Sequence, residues 1–207
     1  VIGFDFEGIE NSKPNPVVTS WLDECDGIII CPSNPYVSVD TTLSVPQYRE
    51  VFQSKPVIAV SPIVGGLAIK GPAAKMMQEL GHEISVKTIA EFYKKYAKRI
   101  FVDTSDNDSS SHLYSLGYEV YQTNLIMNNT QSKNKLAQEI IKVLDSNKMK
   151  VSAFVPIKKF SNSKERLSNV LDSIDRSKLA EQMAKLTIKT LFNSNPFYFI
   201  FLCRKLF

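Results

Sequence analysis

Three short apolar runs, each preceded by residues with the apolar spacing of a helix, constrain most strongly what this chain can fold into. The runs are Ile28–Cys31, Val57–Val60 and Ile100–Val102, and the first lies between Gly27 and Pro32. Continuous apolar runs of this length are typical of strands buried on both faces of a parallel sheet. Because strands alternate with helical patterns, the sequence predicts an α/β fold with a parallel sheet and flanking helices.

The other elements follow from periodicity and from start and stop residues. A chain that opens directly on a strand lacks the element that usually precedes one, so we expect the true start of the domain to be missing. Besides the three runs, we predict strands at Val1–Phe6 and Tyr118–Tyr121, helices at Pro16–Cys25, Pro46–Ser54, Ala73–Leu80 and Val86–Lys98, a short helix at Leu113–Leu116, and a last amphipathic helix at Leu136–Leu144.

Composition and charge exclude several classes of protein. Hydrophobic residues make up 43% and charged residues 22% of the 207 residues, which excludes disordered and collagen-like chains. The apolar runs are shorter than the roughly 20 residues of a membrane span, and three unpatterned cysteines favour a reduced, cytoplasmic protein. Residues 1–132 carry 10 basic and 15 acidic residues, whereas residues 133–207 carry 15 and 6. The basic residues lack interleaved aromatic residues, so we expect nucleotide phosphates rather than nucleic acid as partners.

Ligands of parallel α/β sheets bind where strands end, so the loops after the apolar runs are the candidate site. The first loop, Pro32–Ser38, contains Ser33, Asn34 and Ser38 between two prolines. Its hydroxyl, amide and backbone N–H groups suit a phosphate or the edge of a heterocycle. A purely structural turn built on Asn34 before Pro35 is the alternative.

The second loop, Ser61–Pro72, is richer in unusual residues. Gly65 and Gly66 permit close approach of the backbone to a ligand, and Lys70 and Gly71 precede a helix start. The loop therefore predicts a phosphate cradle, although it has neither the P-loop nor the dinucleotide-binding spacing. A Gly-Gly turn followed by a solvated lysine is the alternative.

The third loop is acidic and follows the run Ile100–Val102. The loop Asp103-Thr104-Ser105-Asp106-Asn107-Asp108 could hold Mg²⁺ through one or two carboxylates, as phosphoryl-transfer sites often do. A helix cap formed by Asn107 or Asp108 is an equally good interpretation.

Together these loops carry a resemblance. Over residues 1–145 the chain resembles the C-terminal half of the 2-phospho-L-lactate transferase family. The motifs that carry it are Cys31-Pro-Ser-Asn-Pro35, Ala59-Val-Ser-Pro-Ile63, Gly65-Gly66, Lys70-Gly-Pro-Ala-Ala-Lys-Met-Met77, Ile100-Phe-Val-Asp103 and Leu116-Gly117.

This resemblance implies an incomplete Rossmann-like fold and a transferase of coenzyme F420 biosynthesis. The implied reaction moves a phospholactyl or phosphoenolpyruvyl group from a guanosine-diphosphate-linked donor to the deazaflavin Fo, with release of GMP and help from Mg²⁺. A homodimer is also implied, and no catalytic residue of this chain is identified. Residues assigned by resemblance to donor or deazaflavin binding are Ser33, Asn34, Ser38, Gly65, Gly66, Lys70 and Gly71, with Asp103 as a supporting metal residue at most.

A second resemblance begins at Met149. Residues 149–192 are similar to the N-terminus of the 2-phospho-L-lactate guanylyltransferase family, which implies a truncated α/β nucleotidyltransferase start. A predicted strand, Val151–Val155, leads into a loop with Lys158, Lys164 and Arg166, which suit the phosphates of a nucleoside triphosphate. A basic surface loop is the alternative.

We therefore expect a transferase domain at residues 1–148, a guanylyltransferase fragment at 149–195, and an apolar, aberrant tail at 196–207. Nine of the last eleven residues are apolar, which predicts a tendency to aggregate. Two alternatives stay open. One is a 2-phospho-L-lactate guanylyltransferase or a bifunctional fusion of the two enzymes, and the other is a noncatalytic fragment that binds nucleotide phosphates.

Overall fold

A computed structural model describes residues 1–69, 71–145, 151–157, 168–192 and 197–203. Along most of the described chain, helices and strands alternate, as the sequence pattern predicts. In chain order they are β1 (Gly27–Ile30), β2 (Val57–Val60), β3 (Ile63–Val64), β4 (Leu67–Ala68), β5 (Arg99–Asp103), β6 (Glu119–Thr123), β7 (Val151–Ile157) and β8 (Phe197–Cys203).

The described helices connect and flank these strands. They are α1 (Pro16–Glu24), α2 (Asp40–Leu43), α3 (Pro46–Ser54), α4 (Ala73–Glu79), α5 (Val86–Tyr93), α6 (Ser110–Ser115), α7 (Thr130–Asp145) and α8 (Ser173–Phe192). Two shorter turns matter for the site: a π-helical turn at Pro35–Val39 and a 3₁₀ turn at Thr104–Ser109.

The strands form one parallel sheet in the order β6-β5-β2-β1-β7-β8, while β3 and β4 form a separate antiparallel hairpin. Every pairing in the larger sheet is parallel. This arrangement confirms the predicted α/β class with a Rossmann-like parallel sheet and flanking helices.

Both faces of the central strands are buried, which explains their unbroken apolar sequence. Ile28 and Ile30 of β1 point into one apolar cluster with α1, α3 and α5, whereas Ile29 belongs to a second cluster with α7. Alternate residues of β2 and β5 divide between the same two clusters. A strand covered on both sides favours apolar side chains along its middle.

Local sequence explains where the helices begin. The Asn15 side chain accepts a hydrogen bond from the N–H of Val17 at 2.9 Å, and Pro16 occupies the first turn of α1. In the same way the Ser85 hydroxyl accepts from the N–H of Thr88 at 3.3 Å and caps α5.

The N-terminal segment differs from its prediction. Residues 1–6 form no strand, and Ile2 is fully exposed. The segment is held instead by the ring of Phe4, stacked on Tyr36 at 5.6 Å, and by the terminal amine of Val1, 2.8 Å from a carboxylate oxygen of Glu79. Short apolar alternation cannot distinguish a strand from a docked extended segment, because pairing depends on a neighbour.

The C-terminal elements join the same sheet. β7 pairs with β1, as the predicted strand at Val151–Val155 allows, and β8 pairs with β7. Residues 197–203 are therefore in a strand although their sequence shows no alternation, which parallel strands do not require. The division into two domains and a tail stays a prediction. Among the described residues, no helix combines the length and the apolar character needed to cross a membrane.

Candidate functional site

Three loops leave the carboxyl ends of neighbouring strands at one edge of the sheet. They are loop 1 after β1 (residues 31–39), loop 2 after β2 (residues 61–72) and loop 3 after β5 (residues 103–109). Because β1, β2 and β5 are adjacent and parallel, the loops start at the same edge. This edge is where parallel α/β sheets bind ligands, so it is the candidate site.

Asn34 of loop 1 is engaged by the fold itself. Its Oδ1 accepts hydrogen bonds from the N–H groups of Tyr36 and Val37 at 3.0 and 3.4 Å, which caps the π-helical turn. Its Nδ2 lies 3.1 Å from the Sδ of Met76 in α4. Asn34 therefore shapes loop 1 and ties it to the helix that follows loop 2.

A small cavity lies beside loop 1 and brings two predicted site residues together. Ser33 and Ser38 both line it, about the end of β1. The cavity has room for about one water molecule and its surface is mostly apolar, so the two hydroxyl groups are its main hydrogen-bonding feature. The lining residues are Ile30, Cys31, Ser33, Ser38, Val39, Thr42, Leu43 and Phe52.

The thiol in this cavity is unsuited to nucleophilic chemistry. Burial raises the pKa of Cys31 to about 11, so the group stays protonated near neutral pH. The thiolate is the reactive form of cysteine. The cavity therefore contains no activated sulfur.

Tyr36 is a residue of loop 1 that the sequence did not single out. Its buried ring lies between Phe4, at 5.6 Å, and His82, at 6.4 Å, in near-parallel stacks. Phe92 contacts the ring edge-on at 5.9 Å. The stack anchors loop 1 against distant parts of the chain, and no local pattern could have identified partners so far apart in sequence.

Loop 2 begins with the β3–β4 hairpin, whose turn is Gly65–Gly66. Both glycines have positive φ, 56° and 72°, as a tight two-residue hairpin turn requires. The N–H of Gly65 donates to Oδ2 of Asp106 at 2.9 Å, and the N–H of Gly66 donates to Oδ1 at 3.2 Å. A carboxylate thus occupies the position predicted for a ligand phosphate.

The rest of loop 2 leads into α4. Gly71 has φ 75° and open space where a side chain would be. Lys70 lies outside the described residues, so its predicted phosphate contact stays a prediction. Pro72 stands immediately before the first residue of α4.

Asp103 at the end of β5 is buried and holds loop 3 in place. Its Oδ1 accepts from the N–H and hydroxyl of Ser105 at 3.0 and 2.8 Å, and its Oδ2 accepts from the N–H of Leu125 at 2.8 Å. Burial alone would raise the pKa of this carboxyl, but the hydrogen bonds from Leu125 and Ser105 outweigh burial and lower it. Asp103 is therefore ionised and structurally engaged.

The described residues form no preformed metal cluster. They contain no group of three or more His, Cys, Asp or Glu side chains arranged to hold a metal, whereas Mg²⁺ is usually held by one or two carboxylates together with substrate phosphates. In loop 3, both carboxylate oxygens of Asp103 and both of Asp106 already accept hydrogen bonds from donors in the protein. The expected role of Asp103 with Mg²⁺ stays a prediction, and we derive no chemical step through the ion.

The basic residues of the second segment lie outside the described part of the chain. Lys158, Lys164 and Arg166 follow the described strand β7 in sequence. Their predicted contact with nucleotide phosphates stays a prediction.

Comparison with known proteins places these loops in a family. Residues 5–149 match the family described as 2-phospho-L-lactate transferase CofD, a match that includes all three loops. The chain is 36% identical over 146 residues to a 2-phospho-L-lactate transferase of Methanocaldococcus jannaschii, and 31% identical over 146 residues to that of Methanosarcina barkeri. Over 86 residues it is 40% identical to a phosphoenolpyruvate transferase of Thermobifida fusca.

These matches cover a larger share of this chain than of its relatives. Each of the two longer matches covers 70% of this chain, but 46% and 47% of the relatives. The match to the Thermobifida fusca protein covers 42% of this chain and 27% of that relative. The chain therefore spans about half the length of the curated relatives that it matches most extensively.

Proposed function

Because the chain belongs to the 2-phospho-L-lactate transferase family, we propose that it forms the donor side of a transferase of coenzyme F420 biosynthesis. The proposed reaction transfers a phospholactyl or phosphoenolpyruvyl group to the deazaflavin Fo. A hydroxyl oxygen of Fo forms a bond to the phosphorus that carries the lactyl or enolpyruvyl group. The bond from that phosphorus to the GMP portion breaks, GMP leaves with the bond electrons, and the hydroxyl proton passes to a base.

The observation that carries this proposal is the continuous family match across all three strand-end loops. Such a transfer depends on positioning and on stabilising charge on the transferring phosphoryl group. The serine hydroxyl groups at the loop 1 cavity supply donors of this kind. We propose that Ser33 and Ser38 contact the donor or Fo, together with Lys70 and Gly71 of loop 2.

Three further expectations belong to the proposal. They are that Mg²⁺ assists the transfer, that the protein forms a homodimer, and that residues 149–192 are a guanylyltransferase fragment. Chelation with EDTA, measurement of molar mass in solution and an assay for guanylyl transfer test these three points separately.

The first test measures binding of GDP, as a probe for the donor nucleotide, by titration calorimetry. We expect Ser33→Ala and Ser38→Ala each to weaken binding about tenfold, because each removes a hydrogen bond worth about 1.4 kcal/mol at the upper end of the usual range. Ser20→Ala on α1 is the matched control, since its exposed hydroxyl contacts Glu24, away from the loops.

The second test adds Fo, the guanosine-diphosphate-linked donor and Mg²⁺ to the chain and measures release of GMP. GMP release supports transferase activity by this chain. GDP binding without GMP release instead favours the noncatalytic nucleotide-binding alternative. No GDP binding, or unchanged affinity in both serine variants, would contradict the proposed site.

A further inference from the structure

The contact between Asp106 and the Gly65–Gly66 turn joins two of the three loops. One carboxylate accepts from two consecutive backbone N–H groups, at 2.9 and 3.2 Å, across about 40 residues of chain. Hydrogen bonds to a charged acceptor are stronger than those between neutral groups. The contact therefore links the tip of the β3–β4 hairpin in loop 2 to loop 3.

The hairpin needs such a link. Each of its strands has two residues, and Leu67, the first residue of β4, is 69% exposed. Isolated two-stranded hairpins are marginally stable in water. At the base of the hairpin, Ile63 is fully buried and the Ser61 hydroxyl accepts a hydrogen bond from the N–H of Ile63 at 3.0 Å. At the opposite end, the charged carboxylate of Asp106 holds the turn.

Loop 3, which carries Asp106, is itself held in place by hydrogen bonds. Asp103 holds Ser105 through two hydrogen bonds and holds Leu125 through a third. The 3₁₀ turn departs from helical geometry at Asp106, with φ −102° and ψ 22°, within this supported segment. The hairpin is thus connected through Asp106 to the end of the buried strand β5.

Electrostatics argues against a phosphate at the same amides. A phosphate there would replace an intramolecular carboxylate and would lie near the ionised Asp103. Like charges at short distance repel, most strongly where solvent is limited. The two glycine N–H groups are therefore better suited to holding the loop than to binding the donor.

We propose that Asp106 is a positioning residue that sets the β3–β4 hairpin as one wall of the donor site. This inference rests on the proposed function, because it takes the strand-end edge as the place where the donor binds. It assigns Gly65 and Gly66 to the wall itself, with their N–H groups directed to Asp106 and not to the donor.

The first arm of the test measures amide hydrogen exchange in the full chain. We expect Asp106→Asn to speed exchange at Gly65 and Gly66 about tenfold, with faster exchange through Ile63–Ala68. Asp106→Glu keeps the carboxylate and should restore part of the protection. Asp108→Asn, an exposed residue of the same turn, is the control and should change nothing. Unchanged exchange in Asp106→Asn would overturn the inference.

The second arm measures the Kd of GDP for the same variants. We expect Asp106→Asn to weaken GDP binding about tenfold, with partial recovery in Asp106→Glu and none of the loss in Asp108→Asn. Tighter binding in Asp106→Asn would overturn the inference, because it would mean that the carboxylate blocks a phosphate site. If the unmodified chain binds no GDP, the proposed function fails, and the exchange arm alone decides whether Asp106 positions the hairpin.

Discussion

Asp103 and Asp106 are close in sequence in loop 3, yet their carboxylates bind different parts of the chain. Asp103 is buried and organises its own loop through Ser105 and Leu125. Asp106 reaches across to the hairpin of loop 2. In both cases backbone N–H groups are the main donors, so acidic side chains after a strand need not indicate a metal. At the scale of single residues, the partner decides the role.

The role of Asp103 predicts a pH-dependent loss of stability. We expect Asp103→Asn to lower the free energy of unfolding by about 2 kcal/mol at neutral pH, because an amide N–H₂ group would face a backbone donor. The folded-state pKa of Asp103 lies below its ordinary value of 3.8. Its contribution is therefore complete above that value and is lost as pH falls through the folded-state pKa.

Urea unfolding between pH 3 and pH 7 would measure this effect, in steps of about 1 pH unit, the scale over which one group titrates. The difference between the unmodified chain and the variant should be constant at the neutral end and shrink at the acidic end. Asp108→Asn is the control. A pH-independent difference, or none, would contradict the assigned role of Asp103.

At the scale of elements, contacts between segments complete what local sequence begins. Asn15 and Pro16 start α1 locally, but its end is capped from elsewhere. The Nζ of Lys55 donates to the carbonyl oxygens of Asp23 and Cys25 at 2.9 and 2.8 Å. A cation at the carboxyl end of a helix also suits the helix dipole. Lys55 thereby fixes α1 to the segment that enters β2.

This contact predicts a measurable effect of one lysine. We expect Lys55→Met to lower the free energy of unfolding by about 1 kcal/mol, since two carbonyl groups lose a charged donor while the apolar stem is retained. Thermal or urea unfolding monitored by circular dichroism is the measurement. Lys98→Met, at an exposed position, should change stability little. Equal effects of the two variants would mean that the Lys55 contact is not stabilising.

At the scale of the whole molecule, the two apolar clusters account for the stability of the transferase segment. Among the residues whose side chains the structure describes, the buried members of both clusters lie between Val18 and Leu144, with Phe4 packed against the first. β8 lies at the outer end of the sheet formed by the described strands, next to β7. An apolar strand at a sheet edge offers unpaired backbone groups to other chains. We therefore expect the aggregation risk at the β8 edge of the sheet.

Deleting residues 196–207 is expected to raise the soluble fraction without unfolding the transferase segment. The deletion removes an apolar edge strand and keeps the described members of both apolar clusters, which lie between Val18 and Leu144. Sedimentation at increasing protein concentration and near-ultraviolet circular dichroism, which reports on packing of aromatic side chains, are the measurements. As a control with the opposite expected effect, replacing Arg204 and Lys205 with Ser removes the charges of this segment and should lower solubility. Loss of cooperative unfolding on deletion would show instead that β8 is part of the stable core.

The sequence by itself determined the α/β class, the central strands and the three candidate loops. These features depend on local periodicity: both faces of β1, β2 and β5 are buried, so their runs had to be apolar throughout. It also identified Asn34 and Gly65–Gly66 as unusual, but it left open whether they serve the fold or a ligand.

Only the tertiary structure decided how those polar groups are used. Asn34 meets Met76, Gly65 and Gly66 meet Asp106, and the ring of Tyr36 meets Phe4 and His82, all across long stretches of chain. Residues 1–6 illustrate the same point, because an apolar pattern becomes a strand only if a partner strand lies beside it. Hydrogen bonds and ring contacts depend on positions in space, and packing sets those positions after local patterns have formed the elements.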